Sequence, residues 1–475
     1  MVDNQIKFGT DGWRGIIAQD FTFDNVRVCA QAVADHLKKE GRSGRGIIVG
    51  YDTRFASEDF ASAAAEVVAG NGIKVYLCSQ ATPTPVVSYG VRAKGAAGAI
   101  IITASHNPAK WNGFKIKSED GASAPTEIIA EVEKHISQTL ASGKINQLPL
   151  AKAVEQGLVE YIDLAPVYFK QLNGLIDLKK LRQSRAKVVV DSMYGAGAGY
   201  FKALLDGGAI KIPEINGERN PSFPGIQPEP IAANLAKLST TVKQQKAGVG
   251  LATDGDADRI GVVDENGVFL NQLQVFALLC LYLLEVRGER GPIVKTITAT
   301  NMLYRLGEMF NVPVYETLVG FKYVAPIMVA ENALIGGEES GGYGFRGHVP
   351  ERDGILAGLY FLDFMAKTGK TPSELLDYLY SKVGPHYYKR VDIEFPAEKR
   401  QAINSRLQKN PPESIDGVKV VKTDTADGYR FILADNSWLL IRFSGTEPVL
   451  RIYTETDNQA RVDRLLEIGK ELAGV

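Results

Sequence analysis

Two short stretches concentrate the groups that could do phosphoryl or metal chemistry. Between Thr103 and Lys117, Ser105 and His106 stand side by side, Lys110 and Lys115 follow, and Pro108 and Gly113 constrain the backbone. The small and branched apolar residues from Gly98 to Ile102 predict a buried strand ending where that polarity begins. Ligands of open α/β sheets collect beyond the carboxyl ends of strands, where a nucleophilic serine would be useful. A serine capping the next helix, beside an ordinary Asn-Pro turn, reads the same residues without chemistry. The second stretch, Asp254-Gly-Asp-Ala-Asp-Arg259, sets Asp254, Asp256 and Asp258 at alternate positions at a strand mouth, a density that calls for a cation. Oxygen-only ligands select magnesium or calcium. Glu265 falls at the last position of an EF-hand loop, but Arg259 stands where the sharp turn requires glycine and Ile260 to Val263 predicts a strand. Three carboxylates leave room for a phosphate oxygen, which suits magnesium.

Three further loops are weaker signals taken singly. Gly9-Thr-Asp-Gly-Trp-Arg-Gly15 could bring backbone donors and the Arg14 guanidinium to an anion. Glu338 and Ser340, inside Gly336-Gly-Glu-Glu-Ser-Gly-Gly342, offer an acceptor and a hydroxyl of the kind that hold sugar hydroxyls, or belong to a solvated turn. Arg442, Ser444, Gly445 and Thr446, with Arg451, form a fork plus hydroxyls and amides that fits a phosphate not being transferred, or a hairpin tip in water.

The elements that must present these loops recur three times. The first copy has strands at Gly46 to Gly50 and Lys74 to Leu77, a helix over Ser57 to Ala69, the loop Ala81 to Pro85, and then the strand before Ser105. The second runs through Lys187 to Val190, Ile210 to Ile212, the polar loop Asn216 to Pro230, and Val249 to Ala252. The third runs through Pro292 to Lys295, Pro313 to Tyr315, the loop Thr317 to Lys322, and Leu334 with Ile335. Alternation at this interval implies crossover units and largely parallel sheets, and one cleft fed by three loops is simpler than three sites. From about Lys389 the pattern changes to alternating strands at Arg390 to Phe395, Lys419 to Val421 and Trp438 to Arg442, followed by a helix over Asn458 to Leu472. Polar breaks at Leu140 to Gln147 and Gly384-Pro385 suggest linkers, and the expected domains are 1–150, 151–267, 268–384 and 385–475.

Composition narrows the class. A chain of 475 residues is too long for one core. With 54 lysines and arginines against 55 acidic residues, no global field draws in nucleic acid or an anionic membrane. Cys29, Cys78 and Cys280 are odd in number and flanked by apolar residues, which predicts buried thiols in a reducing compartment. No amino-terminal segment resembles a signal peptide, and the longest apolar run, Val275 to Leu284, is too short to span a bilayer, so a cytoplasmic protein is expected.

Taken together and in order, Thr103-Ala-Ser-His-Asn-Pro108, Asp254 to Arg259, Gly337-Glu-Glu-Ser-Gly341 and Arg442-Phe-Ser-Gly-Thr446 resemble the four signature loops of the α-D-phosphohexomutase family, the phosphoglucomutase and phosphomannomutase group. The resemblance implies three topologically similar α/β domains with mostly parallel mixed sheets, plus a C-terminal α+β domain, around a central cleft. It makes Ser105 the phosphorylated serine and, with Asp254, Asp256 and Asp258, a magnesium ligand; Arg14 and Arg259 would steady the moving phosphoryl group. Lys115 would exchange a proton with the attacking hydroxyl if cations and burial lower its pKa. Thr317, Gly320, Glu338 and Ser340 resemble the sugar-recognition loops, and Lys295 is a further candidate for the cleft. Some relatives carry histidine where this chain has Gly342; the segment His348 to Gly354 instead resembles phosphoglucomutases, which makes His348 an acid or base candidate and Arg352 a cleft cation. The implied reaction interconverts glucose 1-phosphate and glucose 6-phosphate, with mannose phosphates as further substrates, through a bisphosphate and with glucose 1,6-bisphosphate as activator. Phosphomannomutase or phosphoglucosamine mutase as the main activity, or a serine-dependent sugar phosphatase, are the alternatives. The protein would act as a monomer or homodimer.

Overall fold

The structure is a computed structural model that describes residues 6–396, 399–443 and 449–475. The first sheet contains β1 (Trp13–Ile16), β2 (Ile47–Tyr51), β3 (Val75–Cys78), β4 (Ala99–Ile102), β5 (Trp111–Lys117) and β6 (Val159–Ile162). The second holds β7 (Val188–Asp191), β8 (Glu214–Ile215), β9 (Val249–Thr253), β10 (Ile260–Asp264) and β11 (Phe269–Leu270). The third holds β12 (Ile293–Thr296), β13 (Val314–Thr317), β14 (Ile335–Gly337) and β15 (Tyr343–Phe345).

One unit recurs in all three: β3-β2-β4-β5, β8-β7-β9-β10 and β13-β12-β14-β15. The first three strands of each unit are parallel and the fourth returns antiparallel. Parallel strands buried on both faces need continuous apolar runs, and the fully buried Ile100, Ile101 and Ile102 of β4 supply one. The return strand carries side chains back across the mouth of the third, so Lys115 on β5 and Arg259 just before β10 approach the loops that the preceding strands deliver.

Two elements depart from the sequence pattern. The strand expected at Ile210 to Ile212 falls at Glu214–Ile215, and Lys211 makes only an isolated bridge with Lys187. Pro213 accepts from Val190 N at 2.9 Å but has no N–H with which to continue the ladder. β6 pairs in parallel with β3, so the first sheet takes in a segment beyond residue 150.

A fourth sheet, β16 (Tyr387–Glu394), β17 (Ser414–Ile415), β18 (Val418–Asp424), β19 (Tyr429–Leu433), β20 (Trp438–Phe443) and β21 (Val449–Thr456), is antiparallel throughout. Helices Arg400–Lys409 and Val462–Ala473 pack with it in a core of its own, around Phe431, Ile441 and Leu465. The first three sheets instead share one continuous core that includes Ile48, Tyr168, Leu251, Ile293 and Phe361. The three cysteines are buried and unpaired. Among the described residues no helix is long and apolar enough to cross a membrane.

Candidate active site

Ser105 lies one turn beyond β4, fully buried, with φ of +50°. Its Oγ donates to Asp254 Oδ2 at 2.7 Å and lies 3.3 Å from His106 Nδ1. Burial and the cations Arg259 and Arg14 hold the His106 imidazole well below its ordinary range, so it is neutral. Close approach explains the glycine inside the aspartate triplet: a Cβ on Gly255 would sit 2.4 Å from Ser105 O.

Asp254, Asp256 and Asp258 are fully buried, and one oxygen from each lies within 4.8 Å of the others. Burial and the two neighbouring carboxylates push Asp254 well above the usual range. Burial acts the same way on Asp256, but Lys115 outweighs it and holds that carboxyl down. Asp256 Oδ2 accepts from Thr84 Oγ1 at 2.6 Å and from Lys115 Nζ at 2.8 Å. Among the described residues, Asp256 Oδ1 and Asp258 Oδ1 have no hydrogen-bond partner. Orphaned carboxylate oxygens buried this deeply are costly, and an all-oxygen donor set beside them fits magnesium.

The cationic wall is built from three sheets. Lys115 Nζ also meets Asp11 at 2.7 Å and Asp258 at 3.3 Å. Burial alone would lower its pKa, yet these three carboxylates overcome that and hold it above the ordinary lysine range. This corrects the expectation of a lowered Lys115: neighbouring carboxylates, not cations, dominate its surroundings. Arg14 donates to Asn107 Oδ1, and Arg259 pairs with Glu229 at 3.3 Å while its backbone N–H donates to Asp254. Arg352 reaches Asp11 at 2.7 Å, Asp258 at 2.9 Å and Glu338 at 3.6 Å. A Cβ on Gly342 would lie 2.4 Å from Arg352 Cδ, so the arginine shaft fills the space that a histidine at this position would need.

Arg14, Arg259 and Arg352 line a cleft of about 410 Å³ with contributions from every sheet, including Gly320, Glu338, Ser340 and Arg451. Ser105, Lys115 and the three aspartates are not part of that lining: they are buried behind it as a floor, in contact with its His106, Asp11, Arg259 and Arg352. A larger groove of about 610 Å³ beside Leu175 is open to solvent, and two of its ion pairs, Arg287 with Glu289 and Lys367 with Asp363, close on one another.

Other expected residues lie elsewhere. His348 is buried in the shared core, its Nε2 3.0 Å from Asp353 and its ring stacked on Tyr89, and Asp353 caps the helix Gly354–Thr368. Its partners Asp353, Tyr89 and Tyr168 belong neither to the cleft lining nor to the serine–aspartate cluster, so the acid or base role expected of it is withdrawn. Lys295 is also buried away from the cleft: its Nζ donates to Ala299 O and lies 3.4 Å from Glu316, and burial lowers its pKa to about 8. Thr317 is buried at the end of β13 with its hydroxyl on Leu318 O, outside the cleft lining. Arg442 is held by Asp427 at 2.9 Å, whose other oxygen accepts from Val319 N, tying the fourth sheet to the loop after β13. Ser444, Gly445 and Thr446 lie outside the described residues.

Sequence reasoning missed Asp11, although it stands inside a loop singled out for Arg14. It also missed Arg390 and Glu339, which line the cleft and pair at 3.0 Å across the third and fourth sheets. Glu339 also accepts from Tyr388 Oη at 2.7 Å. Arg390 carries no local signal, being one charged residue in an alternating strand. Arg54 did carry one, since it follows Asp52 at a strand end just as Ser105 follows β4.

Comparison with known proteins agrees with this geometry. The chain matches the families described as phosphoglucomutase/phosphomannomutase alpha/beta/alpha domain I over residues 5–142, domain II over 166–267, domain III over 271–383, and the C-terminal domain over 403–468. It is 33% identical to a phosphoglucomutase/phosphomannomutase of Thermococcus kodakarensis, covering 98% of each chain. It is 30% identical to a phosphoglucosamine/phosphogalactosamine mutase of Sulfurisphaera tokodaii, also over 98% of each. A crystal structure from Thermus thermophilus, provisionally named a phosphomannomutase, superposes with a TM-score of 0.86 at 37% identity over 99% of both chains.

Proposed function

The chain belongs to the phosphoglucomutase/phosphomannomutase family and is a phosphohexomutase, an isomerase; from that premise we propose that it moves phosphate between C1 and C6 of a glucose phosphate by way of Ser105. The observation that carries this reading is Ser105 Oγ aimed at Asp254 inside a buried carboxylate cluster, in contact with His106, Arg259 and Arg352 of the cleft that all four sheets line.

In the proposed cycle, phosphorylated Ser105 passes its phosphoryl group to the free hydroxyl of a hexose monophosphate. The ester bond to Oγ breaks, a bond to the sugar oxygen forms, and the proton lost by the hydroxyl is balanced by the one that Oγ regains. The bisphosphate turns end for end and returns its other phosphate to Ser105. Magnesium, held by the three aspartates and the serine phosphate, would neutralise charge on the phosphoryl oxygens. Arg14 and Arg259 line the same cleft and would steady that charge with their guanidinium groups. Lys115, with Nζ on Asp256 and Asp258, stands beside the carboxylates that would hold the metal, placed to donate a hydrogen bond to a phosphoryl oxygen or to exchange a proton with the attacking hydroxyl. Glucose 1,6-bisphosphate would prime the unphosphorylated serine, and the buried thiols suit a reducing cytoplasm.

Glucose, with mannose second, is favoured over an amino sugar by the pairing of the cleft carboxylates. Asp11 faces Lys115 and Arg352, Glu229 faces Arg259, Glu338 faces Arg352 and Glu339 faces Arg390. Among the described residues, a sugar ammonium finds no cleft carboxylate without a competing cation. Coupled assays on glucose, mannose and glucosamine 1-phosphates, each with magnesium and glucose 1,6-bisphosphate, test the assignment. A higher kcat/KM on glucosamine 1-phosphate would replace the glucose reading, and release of inorganic phosphate faster than isomerisation would replace the mutase.

A further inference from the structure

Arg54 is fully buried, and its guanidinium uses all five N–H donors. Nε meets Asp52 Oδ2 at 3.1 Å, one terminal nitrogen donates to Pro108 O and Trp111 O at 3.0 Å each, and the other donates to Ser105 O and Asn107 O at 2.6 Å each. Four of the five bonds therefore end on backbone carbonyls between Ser105 and Trp111, three in the loop that carries the serine and one at the first residue of β5. The same aspartate fixes the amide side of that residue, because Thr103 Oγ1 donates to Asp52 Oδ2 at 2.6 Å and accepts from Ser105 N at 2.8 Å. The ring of Phe223, from the polar loop of the second sheet, lies 5.0 Å over the guanidinium, and Gln227 of that loop donates to His106 O.

A serine in the left-handed region persists only where its surroundings over-determine it. Burying a guanidinium is a costly way to shape a loop that apolar packing could hold, and what needs aim here is one hydroxyl. We propose that Arg54 is the positioning residue of the phosphoryl-carrier loop: by clamping the carbonyl of Ser105 and those after it, it holds the serine backbone in its left-handed conformation and sets where Oγ points relative to Asp254. It acts on the transfer step without touching substrate. A lysine cannot replace it, since a point charge with three donors cannot span four carbonyls and a carboxylate.

The inference rests on Ser105 as carrier, and the test keeps the two apart. Intact mass of the full-length protein, incubated with glucose 1,6-bisphosphate and magnesium, reports the rate of phosphate uptake, and steady-state assays with glucose 1-phosphate give kcat and KM. If the parent takes no phosphate at Ser105, the carrier reading fails and the clamp with it. If the parent is phosphorylated, Arg54→Lys is expected to melt cooperatively, to lose about 100-fold in kcat and in uptake rate, and to keep KM within about threefold, as misaim of a reacting group predicts. A kcat within about threefold of the parent, or a loss confined to KM, overturns the clamp while leaving the carrier intact. Should that variant fail to fold, Thr103→Val reads the same clamp from the amide side. It is expected to lower kcat about tenfold at unchanged KM, and an unchanged kcat overturns the proposal.

Discussion

The floor of the cleft and its fourth-sheet wall are built on opposite plans. On the floor, Ser105, Lys115 and the three aspartates are buried and locked into a network spanning sheets that share one core. On the wall, Arg390 and Arg451 belong to a sheet with its own core, which meets the rest through a small apolar cluster around Trp438 and Tyr453 and through ion pairs such as Arg390 with Glu339. In the proposed cycle, bond making tolerates little misplacement, whereas recognition must accept the sugar in two orientations. Rigidity therefore belongs where bonds change, and separability where the sugar turns.

If that division is right, substitutions on the floor should act on kcat and those on the wall on KM. The largest effect is expected for Ser105→Ala, with turnover reduced at least about a thousandfold while sugar-phosphate binding stays measurable by calorimetry. Unchanged turnover would remove the floor from the chemistry altogether. Next, Asp256→Asn should lower kcat about a hundredfold and raise the magnesium concentration needed for half activity, since it deletes one charge from a three-carboxylate site. A magnesium titration matching the parent would show that the triplet is not the metal site. On the wall, Arg451→Met should raise KM for glucose 1-phosphate about tenfold with kcat changed much less. A fall in kcat at constant KM would erase the distinction between the two regions.

Glu338 sharpens the comparison because it lies between them. Burial raises its pKa to about 7 from an ordinary 4.5, against the pull of Arg352 and Arg259. The folded protein thus binds this proton more tightly than the unfolded chain. Its contribution favours folding below about pH 4.5 and is lost as pH rises through about 7. The melting temperature of Glu338→Gln should therefore gain on the parent across that window. Above about pH 7 the ionised carboxylate accepts from sugar hydroxyls, so the parent's KM should fall through neutrality and the variant's should not; parallel profiles would exclude Glu338 from recognition. The smallest effect is expected for Tyr388→Phe, which removes one bond to Glu339 worth about 1 kcal/mol, and should raise KM by a fewfold at most. A loss as large as that of Arg451→Met would mean that the wall is as tightly coupled as the floor.

The sequence by itself determined the repeated unit, the loops that each copy delivers, and Ser105 and the aspartate triplet as the groups that meet. Strand periodicity and strand-end polarity are local properties, and the rule that ligands gather at strand ends turns them into a site. What only the tertiary structure decided is which way the remaining side chains face and what they face. His348, Lys295 and Thr317 stand in promising segments, yet each points into packing or its own loop, and no local pattern distinguishes a cleft-facing residue from a core-facing one there. The direction of the Lys115 shift is not legible locally, because its sign depends on Asp11, Asp256 and Asp258, brought to it from remote parts of the chain. Arg54 shows the same limit from the other side: five well-aimed donors have value only once the loop they clamp has been folded over them.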